Sequence, residues 1–162
     1  MDIKINTAHK DDAKAIREIA LKTWMDTYVP IVGKEQVDYM IEEMYTVKAL
    51  QDQMENGNEF LICWLDDAPV GFLSYDKISD ERFRIHKLYI HPDTHGKGLG
   101  KLLLDETLKR VRLENGKVIK LNVNRHNKAR FFYEKYGFKV IREEDLPIGK
   151  YWMNDYVMEM EI

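Results

Sequence analysis

The stretch Leu88 to Lys101, LYIHPDTHGKGLGK, limits what this chain can become more than any other. A β-branched and aromatic run from Phe83 to Ile90 predicts a strand. His91-Pro92-Asp93 is a turn signal, and glycines follow at 96, 98 and 100. Leu99, Leu102, Leu103, Leu104, Leu108 and Val111 then recur at helical spacing. The unit is therefore strand, glycine turn, helix. Such a turn leaves the first N–H groups of the helix without intrahelical partners. The helix dipole adds a partial positive charge at the same place. Together they form a seat for a phosphate or pyrophosphate. Glycine lets a ligand approach the main chain and supplies positive φ where the turn needs it.

The spacing separates three kinds of phosphate loop. A Walker A loop needs G-x-x-x-x-G-K-[ST]; Gly96 to Gly100 is one residue short, and Leu102 stands where the metal-binding hydroxyl belongs. A dinucleotide fingerprint needs G-x-G-x-x-G, whereas this chain has G-x-G-x-G. The third kind fits. His95-Gly96-Lys97-Gly98-Leu99-Gly100 resembles the acetyl-CoA loop Q/R-x-x-G-x-G/A of the GCN5-related N-acetyltransferase (GNAT) family, with His95 in place of Gln or Arg. A second stretch, Asn127 to Phe138, is similar to that family's N-x-x-A-x-x-F-Y-x-x-x-G-F signature. It matches at Asn127, Ala129, Phe132, Tyr133, Gly137 and Phe138. Two separated motifs in the right order are far more specific than one glycine turn.

The bulk composition, 44% hydrophobic and 33% charged, is ordinary for a soluble globular protein. At 162 residues the chain is expected to form a single domain, 1–162, with a substantial core. A net charge of −3 argues against a nucleic-acid partner bound by general phosphate neutralisation. The one cysteine, Cys63, sits in an apolar run and predicts a buried structural thiol. No signal region or run of about 18 apolar residues is present, so a cytoplasmic protein without a membrane partner is expected. His91 and His95 are four apart, but Pro92 and Gly96 deny them a shared helical face, so no metal site is expected.

Along the chain, Ile3 and Ile5 predict a short first strand. Ile16, Ile19, Ala20 and Trp24 predict a helix of about four turns, broken by Tyr28 to Gly33. Val37, Met40, Ile41 and Met44 give a second helix, and a third is capped by Thr46. Glu59 to Leu65 and Pro69 to Tyr75 predict a hairpin turning at Asp66-Asp67, followed by a polar loop from Asp76 to Arg82. Asn115-Gly116 ends the long helix. Val118 to Val123 is the next strand, and Asn127 to Tyr136 a short helix. Phe138 to Ile141 leads into a last hairpin, with a loop over Glu143 to Lys150 and a final strand from Tyr156 to Ile162. This order suits an α/β (α+β) mixed sheet with helices on both faces. It also follows the order of the GNAT acyl-CoA N-acyltransferase fold. The resemblance implies about seven strands, with a splay between strands 4 and 5.

The resemblance further implies a chemistry: direct transfer of an acetyl group from acetyl-CoA, the cosubstrate, to a primary amine, with no metal. It assigns the pyrophosphate to the amides of His95, Gly96, Lys97, Gly98, Leu99, Gly100 and Lys101. The pantetheine arm goes to the backbone of Leu88, Tyr89 and Ile90 and to Asn127, and Arg130 and Lys135 are contacts near the cosubstrate. A backbone N–H of Leu88 or Ile90 would face the oxyanion, and Tyr133 would protonate the leaving thiolate as general acid. In some members a glutamate on the central strand is the base; here Arg84 or His86 lies near that position, and the base stays open.

The acceptor is less legible. Trp24, Tyr28, Tyr39, Tyr45, Tyr151, Trp152 and Tyr156 stand near Glu35, Asp38, Glu42 and Glu43 in the segments that usually shape the acceptor pocket, a combination suited to a cationic amine. Thr23 to Tyr28 faintly resembles the opening helix of bacterial polyamine acetyltransferases, so a polyamine is the first expectation. A protein N-terminus or lysine remains an alternative acceptor. A protein that holds CoA as a signal without turnover is a different class of answer. A homodimer is open, since members of the family are often dimers.

Overall fold

The computed structural model describes residues 1–162. Seven strands form one sheet: β1 (Ile3–Thr7), β2 (Glu59–Leu65), β3 (Ala68–Lys77), β4 (Arg82–Ile90), β5 (Val118–Asn124), β6 (Lys139–Ile148) and β7 (Tyr151–Glu161). Their spatial order is β1-β2-β3-β4-β5-β7-β6. Only β4 and β5 run parallel; all other neighbours are antiparallel. Six helices flank the sheet: α1 (Ala13–Thr27), α2 (Val29–Val32), α3 (Lys34–Met44), α4 (Val47–Glu55), α5 (Leu99–Leu113) and α6 (Ala129–Tyr136).

Period-2 alternation along the strands divides the core into two layers. On one face, Ile16, Ile19, Ala20 and Trp24 of α1 pack with Val37, Met40, Ile41, Leu50, Phe60, Ile62 and Phe72. On the other, Leu99, Leu103, Leu104, Leu108 and Val111 of α5 pack with Leu61, Leu73, Phe83, Ile85, Ile119 and Leu121. Each fully buried leucine contributes about 1.5–3 kcal/mol relative to leaving it in water. Cys63 lies in the second layer, fully buried and unbonded. Asp66 and Asp67 both take positive φ, which matches the right-handed twist of the strands they join.

Two sequence-predicted loops are shorter than expected. The segment predicted as a loop over Asp76 to Arg82 shortens to Ile78–Glu81, because β3 runs on to Lys77 and β4 begins at Arg82. The predicted loop Glu143 to Lys150 is mostly β6, and only Gly149 and Lys150 turn the hairpin. β6 is an edge strand paired with β7 alone, so its charges and Pro147 meet solvent. Pro is tolerated at an edge, where its missing N–H breaks no ladder. The break after α1 is a single turn of helix, α2, entered through Pro30 and ended by Gly33 at φ 87°.

One irregularity positions everything that follows. In the β3–β4 ladder Tyr75 opposes Ile85 and Ser74 opposes Lys87, so His86 is an extra residue. Before it, Phe83 and Ile85 face the α5 layer; after it, Leu88 and Ile90 do, and Tyr89 faces the α1 layer. A bulge of this kind bends its strand and increases the local twist. The β4–β5 ladder accordingly stops at Ile85 opposite Leu121. Beyond that pair the two parallel strands diverge.

Candidate active site

The divergence opens a cavity of about 440 Å³. Its walls run from the glycine turn, along Leu88 to Ile90 of β4, past Leu121 to Val123 of β5, to Tyr28 at the end of α1 and Tyr133 on α6. The main chain on its β4 side has no strand partner. His91 donates its N–H to Val70 of β3, and strand groups alternate direction. Leu88 and Ile90 therefore turn their N–H and C=O groups toward the gap, as an edge does.

The glycine turn closes one end. Gly98 is the N-cap of α5, at φ 75°, and no side chain caps the helix. The first helical bond is Leu102 N–H to the Gly98 carbonyl, so the N–H groups of Leu99, Gly100 and Lys101 have no partner within the helix. No acidic residue stands in the first turn to compete for them. A Cβ at Gly96 or Gly98 would meet no atom within 4 Å, so the space above this turn is open to a ligand. These features fit a pyrophosphate group. His95, which takes the place of the usual Gln or Arg, bonds through Nε2 to the Ile90 carbonyl at 2.9 Å and ties the turn to the end of β4.

At the far end, Tyr133 is 7% exposed and lies on the cavity wall. Its ring meets Phe132 and Phe138 edge-on at 5.3 and 5.7 Å. Burial raises its phenol pKa well above the usual value, so it stays protonated. Tyr28 packs on Trp24 with ring centres 4.3 Å apart and the planes tilted by 33°, and its hydroxyl accepts a bond from Asn127 Nδ2 at 3.0 Å. Asn122 and His86 complete this end.

The sequence-predicted site residues are only partly gathered. Leu88, Tyr89, Ile90, His95, Gly96, Gly98, Leu99, Gly100, Lys101, Asn127 and Tyr133 share the cavity; Lys97, Arg130 and Lys135 do not line it. Lys97 and Lys135 point to solvent. The Arg130 guanidinium lies over Phe131 and Tyr156, 4.6 and 5.0 Å from the ring centres, and pairs with Glu134 at 3.4 Å. Of the aromatic residues expected around the acceptor, only Tyr28 lines the cavity. Trp24 and Tyr45 are buried in the α1 layer beside Tyr89, and Tyr39 pairs with Tyr151. None of the expected acids lines the cavity: Glu35 pairs with Lys150, Asp38 with Lys34 and Glu42 with Arg17, and Glu43 is exposed. Thr23, in the segment read as polyamine-like, lies on the wall, and so does Asn122, which carried no sequence signal. Nowhere do three or more His, Cys, Asp or Glu side chains come together as a metal site, and no helix is long and apolar enough to cross a membrane.

The family model described as acetyltransferase (GNAT) domain matches residues 28–161. The chain belongs to the GNAT acetyltransferase family. A spermidine N(1)-acetyltransferase of Thermoplasma acidophilum is 30% identical over 146 residues, 86% of this chain and 90% of the relative. A crystal structure of PaiA N-acetyltransferase from Thermoplasma acidophilum in complex with coenzyme A superposes with a TM-score of 0.86, at 30% identity and full coverage of both chains. A peptidyl-lysine N-acetyltransferase of Salmonella typhimurium is 40% identical, but over 86 residues and about half of each chain (52%). This GNAT protein is thus an acetyl-CoA-dependent N-acetyltransferase, with the mixed seven-stranded sheet and the gap between β4 and β5 that the sequence implied.

Proposed function

We propose that this acetyltransferase acylates a primary amine of a small cationic molecule, with polyamines as the acceptor class. The supporting observation is the continuous cavity. It has a phosphate-accepting turn at one end and a polar end formed by Tyr28, His86 and Asn122 at the other, with Tyr133 on the wall. No carboxylate lines it, but three stand one step behind: Asp76 bonded to His86, and Glu144 and Asp155 bonded to Asn122. Such a layer attracts a cation without locking it in an ion pair. The spermidine acetyltransferase relative supports the same class.

The roles follow from what each group offers. The amides from His95 to Lys101 hold the pyrophosphate. The N–H and C=O groups of Leu88 and Ile90 extend the sheet to the amide-bearing pantetheine arm, as in strand addition, with Tyr89 fixing β4 from the opposite face. Asn127 keeps one Nδ2 hydrogen for the arm. Lys97, Arg130 and Lys135 add solvated charge outside the cavity, where exposed pairs are each worth at most about 1 kcal/mol. A backbone N–H of Leu88 or Ile90 stabilises the oxyanion as the amine attacks the thioester carbon. Tyr133 gives its proton to the departing sulfur and recovers one from the new amide nitrogen.

The test is release of free thiol from acetyl-CoA with a panel of spermidine, a diamine, a monoamine and a lysine-bearing peptide. Turnover with spermidine and the diamine is expected. Turnover with the peptide alone would move the acceptor to protein lysine, the activity named for the Salmonella relative. Tight CoA binding with no turnover on any amine would replace the reading with a CoA-responsive binding protein.

A further inference from the structure

The proton that the acceptor amine must lose has no assigned destination, and the β4 bulge carries two basic side chains. Lys87 also lines the cavity, but its ammonium is engaged. Its Nζ donates to Gln53 Oε1 at 2.8 Å and sits over the rings of Tyr45 and Phe60, at 5.6 and 5.8 Å. Burial among these groups lowers its pKa to about 8. His86 is placed differently. It is the first β4 residue beyond the last pair of the β4–β5 ladder, at the fork of the gap, and it lines the cavity. Its Nε2 lies 2.7 Å from Asp76 Oδ1 on β3. A carboxylate only accepts, so Nε2 carries the hydrogen and Nδ1 keeps a lone pair.

We propose that His86, oriented by Asp76, is the general base that takes the proton from the acceptor ammonium at the fork of β4 and β5. This assignment rests on the acetyl-transfer reading and deepens it. His86 Nδ1 takes one proton from the ammonium and passes it to solvent. The free amine then forms the C–N bond, and the C–S bond breaks as the resulting oxyanion collapses. The second nitrogen-bound proton goes to Tyr133 as Tyr133 protonates the sulfur. The amine thus loses two protons, one released as H⁺ and one ending on the thiol, and nothing is oxidised or reduced. Asp76 is a positioning residue: it fixes the ring and stabilises its charged form, as a carboxylate does behind a catalytic histidine.

The charged surroundings suit the task. Burial lowers the His86 pKa, Asp76 raises it, and Arg84 and Lys87 lower it. The ring is therefore neutral at physiological pH and ready to accept. Its side chain is 28% exposed, which gives the captured proton a way out.

The experiment measures kcat and KM against pH for the full-length wild type, His86→Gln and Asp76→Asn, with spermidine and with the best amine of the panel. For the wild type, kcat/KM should be level above an acidic limb lying below the ordinary histidine value of about 6.5. His86→Gln should lower kcat by roughly 10²–10³-fold with the acetyl-CoA KM unchanged, which also shows that the variant is folded. Its rate should climb with pH in step with the free-amine fraction, because solution must now supply the deprotonated amine. Asp76→Asn should lose less rate and shift the acidic limb to lower pH. A His86→Gln enzyme with the wild-type rate and limb would overturn the dyad alone, as would an Asp76→Asn limb that does not move. A wild type that acetylates no amine would overturn the acetyl-transfer reading, and the dyad's role with it.

Discussion

Asn127 donates from Nδ2 to the hydroxyl of Tyr28 at 3.0 Å, joining the start of α6 to the end of α1 across the cavity, 99 residues apart in the chain. The same side chain accepts the Ala129 N–H at Oδ1, at 2.9 Å, and so shapes the entry to α6. Two variants separate these jobs. Tyr28→Phe removes one bond and leaves the ring on Trp24, so stability should fall by about 0.5–1.5 kcal/mol with little change in the acetyl-CoA KM. Asn127→Ala also frees the α6 entry and removes the contact proposed for the pantetheine arm. It should raise that KM roughly tenfold, the equivalent of about 1.4 kcal/mol. Urea unfolding and steady-state kinetics on the two variants check both halves.

Tyr133→Phe isolates the proton from the packing. The ring is fixed by Phe132 and Phe138, and phenylalanine preserves those contacts. The thermal midpoint and CoA affinity should therefore hold while kcat falls by roughly 10²–10³-fold. Because burial keeps the phenol protonated, Tyr133 should contribute no basic limb to the pH profile within the working range of the protein. Thiol release and calorimetric CoA binding measure the two quantities independently. Equal loss of affinity and rate would make Tyr133 a packing residue.

What the residues disclosed depended on how local the signal was. The glycine turn and the Asn127–Phe138 stretch are contiguous, and their local structure is set by near neighbours, so the turn before α5 and the helix ended by Gly137 could be read directly. The bulge left a trace in the shift from odd to even apolar positions, Phe83 and Ile85 then Leu88 and Ile90. A shift of one residue is easily lost inside a run that is apolar or aromatic at most positions. Asp76 could not be found as the partner of His86, since the two meet only through strand pairing. Edge strand β6 read as a loop because neither of its faces needs to be apolar. Tyr45 looked like a pocket residue because nearness in sequence says nothing about which layer a side chain enters; it is 1% exposed and packs on Trp24.

The glycine turn makes two different demands on its residues. At Gly98 the constraint is conformational: φ of 75° costs an L-residue about 1–2 kcal/mol. At Gly100 it is spatial, since a Cβ there would lie 3.3 Å from Cζ of Phe132. Gly98→Ala should therefore reshape the amides and raise the acetyl-CoA KM by roughly tenfold, with kcat little changed. Gly100→Ala should push the Phe132 ring against Tyr133 and lower kcat as well. Comparing kcat and KM in the two variants distinguishes the mechanisms; identical profiles would refute the distinction.

Asp155 gives the fold a pH dependence of opposite sign to that of a salt-bridged acid. It is 3% exposed; Oδ2 accepts from Asn122 Nδ2 at 3.3 Å, and Oδ1 has no partner. Burial raises its pKa above the ordinary carboxylate value, the neighbouring Glu144 adds to the rise, and Asn122, Arg125 and Arg84 oppose it. A raised native pKa means that the folded state binds more protons than the unfolded state between the two values. The contribution of this group to stability is thus greatest below the ordinary carboxylate pKa and falls as pH rises through the native one. Above that window the ionised carboxylate is a net cost. Asp155→Asn removes the charge while keeping an acceptor for Asn122, so its thermal midpoint should exceed the wild-type value at neutral pH. The advantage should shrink as the pH is lowered toward the carboxylate range. Thermal melts of both proteins across that interval decide it: a variant less stable at neutral pH would show that Arg84 and Arg125 outweigh the cost of burial.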